Sequence, residues 1–262
     1  MQLLIISNSS RRAAGALGNL AKMGFPTAAF AGVVTSGECT HAYLSSRPDA
    51  WWQGLGSACL HFTWAARGAI SVEGLGVAPT LDPEEASFIL AHGTEALGLG
   101  DGAHATPASL DEMLALLAQC AARCAAQEGS IPMIVANPDI VTVSGSELRT
   151  MPGTLARHYA GLGGEVRLMG KPAPVIYEAA LRMLGLPPGA VIAVGDSMEH
   201  DIGGAAAAGV DSLLIGGGIH AAELAVPGPA EAAGAAVEAE ALAQLCQRHG
   251  ATPTYSLPYF SV

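Results

Sequence analysis

Leu3-Leu4-Ile5-Ile6 is an uninterrupted aliphatic run, stopped at once by Ser7-Asn8-Ser9-Ser10. Four aliphatics without polar alternation, bounded by turn-forming residues, read as a strand buried on both faces. Such strands belong to parallel sheets covered by helices. The pattern recurs. Residues 11–22 read as a helix closed by Gly24 and Pro26, residues 30–34 as a second strand, and residues 38–44 as the start of another helix. Further on, the turn Pro187-Pro188-Gly189 leads into an apolar strand, 191–194, that runs into Gly195-Asp196. A small-residue helix over 202–209 and a strand over 212–215 follow. This rhythm predicts an α/β fold, a doubly wound parallel sheet in three layers.

The middle of the chain interrupts the rhythm. Between about residues 57 and 163 lie strand-like runs at 60–63, 86–91 and 133–136. Among them is a long helix, 110–127, apolar at Met113, Leu114, Leu117, Ala118 and Ala121, which is helical spacing. The expected organisation is a first core part at 1–56, an inserted α/β cap at 57–163, and a second core part at 164–262. No repeat of fixed period is present.

Charge and cysteine content narrow the functions. Twelve Lys and Arg against 23 Asp and Glu give a net charge of −11. That argues against nucleic acid or an anionic membrane as partner, because both require a basic face. No stretch of 18 apolar residues suggests a membrane span, and the first residues lack the order of a signal peptide. The five cysteines, Cys39, Cys59, Cys120, Cys124 and Cys246, are odd in number and scattered. Cys120 and Cys124 sit one helical turn apart without a second pair, so zinc is not expected. A reduced, cytoplasmic chain is the expectation.

In an open α/β sheet the site lies beyond the carboxyl ends of the strands. Those ends carry Ser7-Asn8, then Gly170-Lys171-Pro172, then Gly195-Asp196 with Asp201 five residues on. A hydroxyl and neighbouring amides can hold a phosphoryl oxygen, a lysine can offset developing charge, and a carboxylate can hold Mg²⁺ with waters completing the octahedron. Each piece alone has a blander account: a helix cap, a surface lysine, a loop feeding a helix. Their order, each on a strand end, points to phosphoryl chemistry.

The set resembles the haloacid dehalogenase (HAD) superfamily, and within it class IIA, the family of 4-nitrophenylphosphatase-like and sugar or nucleotide phosphatases. IISNSSRR is similar to the second superfamily motif, VTSGE (34–38) to the strand and turn that follow it, and GKPAPVIYEAAL from Gly170 to the third motif with its lysine. VGDSMEHDIGGAAAAG from Val194 resembles the fourth motif, and Ala136-Asn137-Pro138-Asp139 a class IIA element near the end of the cap. The resemblance covers nearly the whole chain. It implies a Mg²⁺-dependent phosphate monoester hydrolase acting on a small phosphorylated metabolite under a C2-type cap that selects substrate. Ser7, Asn8 and Lys171 would be catalytic and Asp196 and Asp201 would serve the metal. Asn137, Asp139 and Gly153, the last with Thr154 on a cap loop, would face substrate.

The superfamily's first motif is a strand ending in Asp-x-Asp, whose first carboxylate attacks phosphorus and whose second acts as acid and base. None of the eight aspartates here has another two positions later. The expectation is that the motif lies upstream, in a longer natural product with a start codon placed further back. By the resemblance that strand is central, so its loss removes about four buried aliphatics at ~1.5–3 kcal/mol each, comparable with a domain's ~5–15 kcal/mol of stability. The chain as written is then expected to be inactive. The alternative is a non-catalytic protein that binds a phosphometabolite. A receiver-type domain would carry its paired acids early and its lysine last. A dinucleotide-binding fold would need G-x-G-x-x-G, which neither GLGGEV nor GGGIH supplies, and Ser144-Gly145-Ser146 lacks the flanks of a hydrolase elbow. Arg11-Arg12 reads as the exposed first turn of a helix, with steering of an anionic substrate as the alternative; His200 reads as a solvated residue at the head of a helix, and Trp51, Trp52 and Trp64 as packing at the hinge into the cap.

Overall fold

The computed structural model describes residues 1–65, 67–127, 129–144, 147–228 and 236–260; Gly145 and Ser146 of the rejected hydrolase elbow fall outside them. The chain divides into two compact units, Met1–Gly170 and Lys171–Val262.

The first unit opens with β1 (Leu3–Ser7), α1 (Ala13–Lys22), β2 (Phe30–Thr35), α2 (Ser36–Ser46) and the short α3 (Ala50–Gly54). β1 and β2 pair in parallel, Ser7 opposite Thr35. Thr35 makes the junction: its hydroxyl oxygen accepts from the Glu38 amide, capping α2, while the hydroxyl donates to the Arg11 carbonyl at 2.6 Å. Glu38 in turn accepts from both the Nε and a terminal nitrogen of Arg12 at 2.8 Å and from the Ala13 amide. The head of α1 is therefore clamped to the head of α2, and Arg12 is a structural partner of Glu38. Gly37 permits the crossing, since a Cβ there would lie 2.0 Å from the Ser10 carbonyl oxygen.

The rest of this unit is built on a seven-stranded sheet. Its members are β3 (Ala58–Thr63), β4 (Ala78–Pro79), β5 (Phe88–Ala91), β6 (Ala96–Gly98), β7 (Ala105–Pro107), β8 (Met133–Val135) and β11 (Val166–Leu168). The order is β11-β8-β5-β3-β6-β7, with β4 beside β3. The central β3, β5 and β8 are the near-continuous apolar runs of the sequence, and they are almost wholly buried. α4 (Leu110–Gln127) covers them with Met113 and Leu117 of the expected apolar face and with Cys120, which pack with Leu155 and Tyr159 of α5 (Pro152–Gly161), whereas Ala118, expected on that face, is exposed. A hairpin of β9 (Val141–Ser144) and β10 (Glu147–Thr150) stands between β8 and α5. Trp51 and Trp52 pack as expected of them: Trp52 is buried, and the Arg167 guanidinium lies 3.5 Å over the Trp51 ring.

The second unit has α6 (Pro174–Leu184), β12 (Ile192–Gly195), α7 (Gly204–Ala207), β13 (Asp211–Ile215), α8 (Ala239–His249) and β14 (Tyr255–Leu257). Its sheet is parallel, in the order β12-β13-β14. The helix expected over 202–209 differs from the observed one. Residues Met198–Gly203 form a π-type turn, because the Asp201 and Ile202 amides both donate to the Ser197 carbonyl, and the α-helix begins only at Gly204.

Two strands depart from the burial their sequence calls for. Among the described residues β1 pairs only with β2, and β12 only with β13. Leu3 is 45% exposed, Ile192 45% and Val194 47%, whereas the equally aliphatic β5 is closed off completely. Each of the two strands presents an apolar edge with unpaired backbone groups.

Candidate active site

In the first unit the loop after β1 is shaped by its own serines. The Ser9 amide donates to Ser7 Oγ at 3.2 Å and the Arg11 amide to Ser9 Oγ at 3.3 Å, two consecutive hydroxyl turns. The Ser7 oxygen accepts, so its O–H remains able to donate to an anionic oxygen. Asn8 is buried, and its Nδ2 donates to Asp139 Oδ1 at 2.9 Å. Asp139 is fixed in turn, its amide donating to Asn137 Oδ1 at 3.0 Å and its carbonyl accepting from the Gly153 amide. The sequence motifs 7–8 and 136–139, far apart in the chain, thus share one hydrogen-bonded cluster.

Ser7, Asn8, Asn137 and Asp139 line a cavity of about 230 Å³, together with Ser9, Ser10, Arg11, Trp64, Arg67, Thr142 and Met151. Gly153 does not line it. Expected on a loop with Thr154, both lie instead in the first turn of α5, where Pro152 at the first helical position starts the helix and Thr154 Oγ1 donates to the Ile140 carbonyl. Trp64 does more than pack: its indole N–H donates to Ser10 Oγ at 2.9 Å, and the Arg67 guanidinium lies 4.6 Å over its ring. Sequence reading missed Arg67 altogether, since no motif marks it.

In the second unit Lys171 Nζ lies 2.7 Å from Asp201 Oδ1, a mostly buried ion pair. The other oxygen of Asp201 accepts from the Ser197 amide at 3.0 Å. Asp201 thereby ties the lysine to the loop after β12. Asp196, at the head of that loop, accepts through Oδ2 from the Ile219 amide at 3.1 Å. A Cβ at Gly218 would come within 2.3 Å of Asp196, so only glycine lets this second loop close on the carboxylate. Tyr177 donates its hydroxyl to the carbonyls of His200 and Asp201, and burial together with the Asp201 charge raises its phenol pKa, keeping it a donor. Ser197 caps the turn, its Oγ accepting from the His200 amide at 3.1 Å. The buried His220 accepts from the Met198 amide through Nε2 while its Nδ1 faces Glu223 at 2.8 Å, which requires the proton on Nδ1. His220 carries no motif, and Tyr177, although inside the 170–181 stretch, gave no sign of its role, since both its acceptors lie more than twenty residues on.

Among the described residues no group of three His, Cys, Asp or Glu side chains could cage a metal. The donor set around Asp196 fits a different binding mode, one hard carboxylate oxygen with the remaining positions left to water, which suits Mg²⁺.

The chain resembles known proteins in sequence and in fold. A family model described as HAD-hydrolase-like matches residues 168–245. A dihydroxyacetone phosphatase from Corynebacterium glutamicum (strain R) is 32% identical over 92 residues, 35% of this chain; the chain spans about a third, 34%, of that relative's length. A hydrolase of the haloacid dehalogenase-like family from Brucella suis 1330 superposes with a TM-score of 0.68 at 27% identity, over 99% of this chain and 83% of that one. The p-nitrophenyl phosphatase from Archaeoglobus fulgidus superposes at 0.60 and 21% identity, over 98% and 83%, a likeness of fold.

Proposed function

We propose that the chain is a member of the haloacid dehalogenase superfamily, within class IIA, and that it serves the Mg²⁺-dependent hydrolysis of a small phosphate monoester through a phospho-aspartyl intermediate. The observation that carries this reading is the polar residues at the strand ends: Ser7 closing β1 with Asn8 next to it, and Asp196 directly after β12 with Lys171 held by Asp201. Ser7 would donate to a phosphoryl oxygen, Asn8 would hold the loop through Asp139, and Lys171 would offset charge that develops in transfer. Asp196 would hold Mg²⁺, which when bound neutralises phosphoryl charge. The dihydroxyacetone phosphatase relative and a cavity of about 230 Å³, smaller than the ~300–1,000 Å³ that holds drug-sized ligands, support a small substrate. Residues 57–163, whose sheet also takes in β11 (Val166–Leu168), would act as the substrate-selecting cap on a core of 1–56 and 164–262.

The 262 residues contain no Asp-x-Asp pair, so this reading requires the attacking carboxylate to come from a further segment. The exposed apolar edges of β1 and β12 support it, being edges to which an additional aliphatic strand could pair. In the reaction one carboxylate oxygen bonds to phosphorus as the ester O–P bond breaks, and the second acid protonates the departing alkoxide. Water activated by the same group then cleaves the acyl phosphate. None of the five cysteines forms a disulfide, and burial pushes the Cys59 and Cys120 thiols up to about 12 and 11.

A second reading, a binding protein without catalysis, is favoured by the lack of a nucleophile alone. One experiment separates them: the 262-residue chain and a form extended through an upstream Asp-x-Asp strand are assayed with Mg²⁺ on p-nitrophenyl phosphate and a panel of triose, sugar and nucleotide phosphates. The enzyme reading expects activity in the extended form, at least about a thousandfold above the shorter one and lost on Lys171→Ala. Equal activity in both would place the nucleophile elsewhere, and inactivity in both would favour the binding protein.

A further inference from the structure

The cavity beside Ser7 and Asn8 has a cationic wall that phosphoryl chemistry itself does not use. Of the twelve basic side chains in this acidic chain, four are held in ion pairs among the described residues: Arg12 to Glu38, Lys171 to Asp201, Arg182 to Glu178 and Arg248 to Glu223. Arg11 and Arg67 both line the cavity, and neither side chain joins an ion pair with a described residue. Asp139 lines it too, but its Oδ1 accepts from Asn8. Two guanidiniums against one carboxylate leave the cavity net positive inside a protein of net charge −11.

Arg67 is also held in place. Its guanidinium stacks 4.6 Å above Trp64, and that ring is buried and pinned by the indole hydrogen bond to Ser10. Stacking fixes the plane of the guanidinium while leaving its in-plane N–H groups free to fork onto a planar or tetrahedral anion. A long cation stabilised in this way loses little freedom when it grips a ligand.

We infer that Arg67, aided by Arg11, receives a second anionic group on the substrate. The pocket then selects small phosphate esters whose far end carries a carboxylate or another phosphate over those ending in a neutral hydroxyl. The inference rests on the reading of Ser7 and Asn8 as the phosphoryl end of the cavity.

The test uses phosphonates, whose C–P bond is not cleaved by ester hydrolysis, so that binding is read whether or not the chain is active. Calorimetry on the 262-residue chain compares 3-phosphonopropionate, ethylene-1,2-diphosphonate and 3-hydroxypropylphosphonate, with wild type, Arg67→Gln and Arg67→Lys. The expected result is at least about tenfold tighter binding of one or both doubly anionic ligands than of the hydroxyl ligand. The preference should disappear in Arg67→Gln, persist in part in Arg67→Lys, and shrink with added salt. Which ligand is preferred tells carboxylate from phosphate. Equal binding of all three, or a preference untouched by Arg67→Gln, overturns the inference while leaving the phosphoryl site standing. Failure of all three to bind overturns both.

Discussion

Asn8 donates from Nδ2 to Oδ1 of Asp139 at 2.9 Å, across 131 residues of sequence. The bond joins the loop after β1 to the turn after β8 and fixes one rim of the cavity. Its strength is measurable by a double-mutant cycle. Asp139→Ala leaves a buried amide short of a partner and should cost about 1–3 kcal/mol in denaturant unfolding. Asn8→Ala should cost a similar amount, and the double variant less than their sum, with a coupling of about 0.5–3 kcal/mol. Strict additivity would mean the contact contributes nothing.

Asp196 and Asp201 should respond differently to loss of charge. Both oxygens of Asp201 are engaged, by Lys171 and by the Ser197 amide, so Asp201→Asn should lower stability. The pair retains some solvent contact, which limits the loss to about 1–3 kcal/mol. Asp196→Asn should leave stability nearly unchanged and abolish Mg²⁺ binding, which in this chain is expected to be millimolar or weaker because a single carboxylate holds the ion. Micromolar affinity that survives Asp196→Asn would show that the ion binds elsewhere.

His61 Nε2 and His92 Nδ1 meet at 3.0 Å in the buried part of the seven-stranded sheet. Burial lowers His61 to about 4 and carries His92 well below its usual range, with His61 and His41 adding to the effect on His92. Unfolded histidine titrates near 6.5, so between about pH 6.5 and 4 the unfolded chain holds protons the folded chain refuses, and stability falls as pH falls. His61 alone should lose about 2 kcal/mol at pH 5 relative to pH 7.5. Urea midpoints at both pH values test this. A His61→Gln/His92→Gln variant should lose less on acidification, and a pH slope identical to that of wild type would rule the pair out as its source.

Local pattern made much of the fold legible. The helix Leu110–Gln127 was read to the residue, because its apolar positions keep one face along five turns, and the strands from Phe30 and Met133 began where aliphatic runs begin. The π-type turn at Met198–Gly203 was not legible, since it depends on one carbonyl, that of Ser197, accepting from two amides. Of the candidate site, Ser7, Lys171 and Asp196 stood out through motif order. Arg67 and Trp64 did not, because their role in the cavity arises from a contact with Ser10 more than fifty residues away. His220 was equally hidden, its partner Met198 belonging to another loop.

The bare edges of β1 and β12 bear on the life of the chain in a cell. Aliphatic strands with open ladders are templates for pairing with any other extended chain, and neither β1 nor β12 carries a lysine or proline among its own residues to guard the edge. Left uncovered, such surfaces invite filament growth and capture by chaperones and proteases. Abundance and solubility of the 262-residue chain would therefore be governed by whatever strand covers those edges, well before any question of turnover arises.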